Sequence, residues 1–171
     1  MRRFEGFPPG RASYTPIPDQ FFSELLASID DLAEMKLLLY LFWALYHQKG
    51  SPRYMTMAEL ENEGILLSGL PTKANQTPVQ ALQDAVNRAI ARGTVLRLDV
   101  SNDQGVTSYL FINTHQGRKA VKDVQNGTLI LESRGRVVEA HIAQDRPSIF
   151  ALYEENIGLL TPLIREELIE A

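Results

Sequence analysis

Ten consecutive residues, Leu37–Tyr46, read Leu-Leu-Leu-Tyr-Leu-Phe-Trp-Ala-Leu-Tyr and carry no charge. A bilayer span needs about 20 such residues, so this run is too short to cross one. It is also too uniformly apolar for a surface helix that buries a single stripe. Helix formers dominate it and β-branched residues are absent. Upstream, Asp31-Leu32-Ala33-Glu34 has the spacing of a capping box with Asp in the place of Ser or Thr, and downstream Lys49-Gly50 supplies a basic last turn and a glycine stop. The pattern predicts one helix over about 31–48, apolar on most of its circumference. One side faces the core, and the other must face a further helix or another subunit.

The flanking chain is read from local chemistry. Pro8, Pro9, Pro16 and Pro18 make residues 1–18 an extended arm, with Phe4, Phe7, Tyr14 and Ile17 available to pin it to a surface. Phe22, Leu25, Leu26 and Ile29 recur at helical spacing and predict a short helix over Asp19–Ile29. Arg53–Met55 fits a very short strand, and Thr56 caps a helix over Met57–Glu63 that Gly64 ends. Residues 65–76, with Gly69, Pro71 and Asn75, read as a loop. Thr77-Pro78 is an N-cap followed by proline at the first helical position; the helix runs to about Arg92 and stops at Gly93. The hydrophobic period then changes from 3.6 to 2. Val95–Val100 and Val106–Ile112 form a hairpin about the turn residues 101–105, and Thr114 caps a helix to about Gln125. Residues 128–147 read as a linker or a hairpin turning at Arg134-Gly135. Two short helices follow, opened by Ser148 and by Thr161-Pro162.

Helix, short strand, helix, helix, hairpin, helix is the order of a winged helix-turn-helix. The fold class is therefore mostly α with a small β-hairpin: a winged helix-turn-helix with N-terminal and C-terminal helical extensions. The arm is 1–18, the winged-helix domain 19–127, the linker or hairpin 128–147 and a helical piece 148–171.

Charge narrows the function. The net charge is −4, and between 148 and 171 Arg165 stands alone against Glu154, Glu155, Glu166, Glu167 and Glu170, so residues 1–147 are balanced. A balanced body does not support strong non-specific nucleic-acid binding, which scales with the phosphates neutralised. With no cysteine, thiol catalysis, thiolate metal sites and disulfides are excluded. Arg2 and Arg3 lead into Glu5 and a Pro/Gly run rather than an apolar segment, so no secretion signal is expected and the default is cytoplasmic, off the membrane.

The segment Ile149-Phe150-Ala151-Leu152-Tyr153-Glu154-Glu155-Asn156-Ile157-Gly158-Leu159-Leu160-Thr161-Pro162 resembles the opening of the C-terminal domain of DnaD-like replication proteins, whose motif runs Tyr-Glu-x-Asn-(Ile/Phe)-Gly-x-(Leu/Ile)-Thr-Pro. Tyr153, Glu154, Asn156, Gly158, Thr161 and Pro162 carry the match, which spans about 24 residues. Tyr14-Thr15-Pro16-Ile17-Pro18 with Phe21 or Phe22 also resembles the way that family leads into its first helix. The family continues through further helices to a Tyr-x-x-x-Ile-x-x-Trp ending that is not in this sequence. The resemblance implies a bacterial or phage DNA-replication initiation, restart or primosome protein. It further implies self-association through the winged-helix domain, with DNA and partner contacts that help load the replicative helicase.

Two faces are candidates for DNA. Gln80, Gln83, Asn87 and Arg88 lie opposite the apolar side of helix 77–92, where base-reading side chains would stand, although Asp84 sits among them. Arg118, Lys119 and Lys122, with Arg134 and Arg136 beyond, give the strongest basic patch, suited to phosphates rather than bases. Phe21, Phe22, Tyr40, Trp43 and Tyr46 are the candidate self-association surface, since large exposed apolar patches are rare on soluble monomers. His47, His115 and His141 have no ligand-spaced partners, Gly69–Lys73 lacks phosphate-loop spacing, and no nucleophile motif is present. No metal, no cofactor and no enzymatic activity are expected. The leading expectation is a replication scaffold; the alternative is a sequence-specific winged-helix transcription regulator.

Overall fold

The computed structural model describes residues 4–7, 13–102 and 105–131. The expectations for Arg134, Arg136 and the 148–171 motif lie outside the described residues. Within them the chain is mostly helical around a small three-stranded antiparallel sheet. The helices are α1 (Leu32–Tyr46), α2 (Met57–Glu61), α3 (Gly64–Gly69), α4 (Pro78–Arg92) and α5 (His115–Gln125), and the strands are β1 (Met55–Thr56), β2 (Val95–Asn102) and β3 (Gly105–Ile112).

α1 begins where its cap chemistry places it: Asp31 accepts from the Glu34 amide at 2.9 Å. Leu37, Leu38, Leu41 and Leu45 are buried along one side and form the centre of the larger core with Leu60, Leu82, Ala85 and Leu110. Burying a leucine contributes roughly 1.5–3 kcal/mol, so this row is a large part of what holds the body together. Ahead of α1 the short helix expected over 19–29 begins at Asp19 but is wound as a π-helix from Phe21 to Leu25 and gives way to a turn at Leu26, whose amide reaches back five residues to the Phe21 carbonyl at 2.8 Å.

Thr56 serves two elements. Its backbone belongs to β1, and its side chain forms a capping box with Glu59 that opens α2. The loop before it is closed by the Gln48 side chain, which donates to the Tyr54 carbonyl at 2.9 Å and accepts from its amide at 3.3 Å. Residues 64–69 correct the expected loop: Gly64 opens α3 instead of ending α2. Leu66 is buried against the core, and Lys36 of α1 donates to the Gly69 carbonyl at 2.5 Å, so tertiary contacts hold a helix too short to announce itself.

α4 opens on Thr77 with a capping box to Gln80 and ends at Gly93, whose φ of 80° is left-handed. β2 pairs with β3 from Val95↔Ile112 to Asn102↔Gly105, and β1 pairs with β3 through Met55↔Leu110, giving the sheet order β1-β3-β2. The register separates two faces. Val95 and Leu110 enter the larger core, while Leu96, Leu98, Tyr109 and Phe111 meet Ala120 and Val121 of α5 in a second cluster. Leu129 and Leu131 pack onto that second cluster, so residues 128–131 run along the sheet.

Candidate nucleic-acid interface

α4 presents Gln80, Gln83, Asp84, Asn87 and Arg88 to solvent, as expected from its period. Most of these side chains are already engaged. Gln80 Oε1 accepts from the Thr77 amide at 2.9 Å in the cap. Gln83 donates to Glu61 of α2 at 3.0 Å, and Asp84 accepts from Gln76 at 2.8 Å. Arg88 sits 3.7 Å from the Asp31 carboxylate. Among the described residues Asn87 alone of the four candidates makes no side-chain hydrogen bond or ion pair. Asp30, Asp31 and Asp84 line a shallow cleft beside this face with Lys73 and Arg88, so its field does not favour phosphate.

The last turn of α4 is anchored inward. Arg92 makes a forked pair with Glu34 of α1 at 2.7 and 3.1 Å and donates to the Ser28 carbonyl at 2.6 Å. Asp30 lies 3.5 Å from the same guanidinium. The Glu34 side chain is fully buried and that of Arg92 is a quarter exposed. The hydrogen bonds to Glu34, more than its charge, hold the guanidinium even further toward its protonated form.

The hairpin adds no free cation among the described residues. Arg97 Nε lies 2.9 Å from Asp99, which also accepts from the Ser108 hydroxyl at 2.6 Å. The Ser108 hydrogen bond first, and the Arg97 contact second, hold the Asp99 carboxyl below its usual range.

α5 differs. Thr114 caps it by accepting from the Gly117 amide at 3.1 Å, and Gly117 and Ala120 face the sheet. That orientation leaves Arg118, Lys119 and Lys122 on the exposed side, within one helical turn of each other. Arg118 is steadied by Asn113, whose Oδ1 accepts at 2.9 Å, and none of the three has a carboxylate partner among the described residues.

The apolar candidates divide. Phe21 is only 2% exposed and packs edge-on against Phe42 with centroids 5.8 Å apart, so it belongs to the core and not to an interface. Tyr40 is half-buried beside Glu63, and burial first, then that carboxylate, pushes its hydroxyl pKa up. Phe22 is exposed, as are Trp43 and Tyr46. The pattern also missed two neighbours: Leu32 and Leu39 join Trp43 and Tyr46 in a stripe along α1, each 40–56% exposed.

No helix among the described residues is long and apolar enough to cross a membrane, and no cluster of three or more His, Asp or Glu there could hold a metal ion. No protein-family model, no curated protein and no solved structure matches the chain.

Proposed function

We propose that this chain is a DNA-replication initiation or restart scaffold of the DnaD-like kind. It self-associates through a winged-helix domain, contacts DNA weakly and helps assemble helicase-loading partners. In this reading α4 stands in the place of a recognition helix and the β2–β3 hairpin is the wing; the β1-β3-β2 sheet with α2, α3 and α4 between β1 and β2 supports it. The observation that carries the reading is the division of polar groups between α4 and α5. Three of the four base-reading positions on α4, all but Asn87, are engaged by the helix cap, Glu61 and Asp31, while Arg118, Lys119 and Lys122 face solvent without carboxylate partners among the described residues. Such a surface holds phosphates and does not read sequence, which favours the scaffold over a sequence-specific transcription regulator.

Two experiments test it. Replacing Arg118, Lys119 and Lys122 together by Glu lowers affinity alike for any duplex. It also flattens the dependence of log K on log salt by about 0.9 for each phosphate that is no longer neutralised. Strong sequence discrimination that disappears in Gln83→Ala or Asn87→Ala would instead place base reading on α4.

Self-association uses the α1 stripe, where a two-fold contact would bring Trp43 and Tyr46 against the same residues of a second copy. Light scattering at tens of micromolar gives a dimer or larger species, and Trp43→Glu returns the monomer mass. A wild-type monomer under those conditions would remove this part of the reading.

A further inference from the structure

Between the arm, the end of α1 and the start of α5 lies a cleft of about 390 Å³, within the range of small-molecule sites, about 300–1,000 Å³. Its walls are apolar, with Pro16, Phe42, Leu45 and Ile112 among them. Among the described residues Arg53 is the only charged one that lines it, and no carboxylate does. The Arg53 guanidinium lies 6.0 Å from the centroid of the Tyr46 ring, a contact that steadies it without consuming its N–H groups. It has no ion-pair partner among the described residues.

Another part of the lining is the first turn of α5, where Thr114, Gln116 and Gly117 border the cleft. Thr114 satisfies the Gly117 amide, while the amides of His115 and Gln116 precede the first intrahelical acceptor. A helix N-terminus favours negative charge, so the dipole and Arg53 act on the same space with the same sign.

We infer that this cleft binds a small organic carboxylate with an aromatic or branched apolar body. The body replaces water over Phe42, Leu45 and Ile112, and the carboxylate meets the Arg53 fork at the rim. A cationic ligand would find no counter-charge on the lining, and a neutral one would gain nothing from Arg53. This site is separate from the basic face of α5 and from the α1 stripe, apart from Tyr46 at its edge, so it stands whether or not the scaffold reading does.

The test is a titration of the full chain with 2-naphthoate and with its neutral counterpart 2-naphthamide, followed by amide shifts. The expected result is saturable change centred on Arg53, Gln116 and Gly117, with 2-naphthoate binding about tenfold tighter. Arg53→Gln removes that difference and leaves the melting curve unchanged. Gln116→Glu, which suits the first turn of a helix, weakens 2-naphthoate and spares 2-naphthamide. Equal affinity of the two probes for the native chain overturns the proposal. So do shifts centred on Lys119 and Lys122, or a failure to saturate in the millimolar range.

Discussion

Arg92→Leu lowers the melting temperature on the order of 10 °C, well beyond what an ordinary surface substitution does. The reason is the partner left behind. Glu34 is fully enclosed between α1 and α4, and its two oxygens accept from Arg92 at 2.7 and 3.1 Å. Without the guanidinium a carboxylate remains buried with nothing to balance it, the costly way to break such a pair. The Ser28 carbonyl also loses its donor. The reverse change is milder. Glu34→Leu leaves Arg92 a quarter exposed and beside Asp30, where water and that carboxylate take over. The double variant Glu34→Leu/Arg92→Leu recovers most of the lost stability, since replacing a buried pair by apolar groups is often neutral or better. Thermal melts of the three variants check this. Equal losses in both single variants, with no recovery in the double, would show that packing rather than uncompensated charge sets the cost.

Gly117→Ala destabilises α5 against the sheet by about 2–3 kcal/mol, although alanine is the better helix former by about 1 kcal/mol. Gly117 sits in the first turn of α5 where the helix lies directly on the end of β3. A Cβ there falls inside the contact distance of the Ile112 carbonyl oxygen and touches the Phe111 side chain. Backbone cannot rotate away as a flexible side chain would, so α5 must lift, and Tyr109, Phe111 and Ala120 lose their cover. Hydrogen exchange across 115–125 reports it: the variant exchanges faster there, while 32–46 keeps its protection. Unchanged exchange with an unchanged melt would mean that α5 shifts at no cost.

What could be read in advance was local chemistry. Asp31, Thr77 and Thr114 cap helices because their side-chain oxygens suit an amide three residues on, and Gly93 ends α4 because glycine takes a left-handed φ without strain. The hairpin followed from a strict change of period. α3 was illegible because Ile65-Leu66-Leu67 is too short to display one, and its helix depends on Leu66 burial and on Lys36, which lies 33 positions from Gly69. Phe21 and Phe22 are adjacent and alike, and only the π-helical turn decides which enters the core. For the candidate sites, the charges of α5 were visible because Arg118, Lys119 and Lys122 recur at helical spacing and outnumber Asp123, the one acid in that helix. The engagement of α4 was not. Gln83 meets Glu61 from 22 positions away and Arg92 meets Glu34 from 58, distances that no periodic pattern spans.

β3 is a wall shared by two rooms. Leu110 belongs to the larger cluster, while Tyr109 and Phe111 belong to the smaller one. The two rooms therefore need not open together. α5 and residues 128–131 can detach and leave the larger core sealed, whereas loss of β3 empties both. The basic residues of α5 thus ride on a part that can release without breaching the larger core. Any polyanion that grips Arg118, Lys119 and Lys122 acts also as a clasp on that region, and its grip strengthens as α5 becomes harder to release.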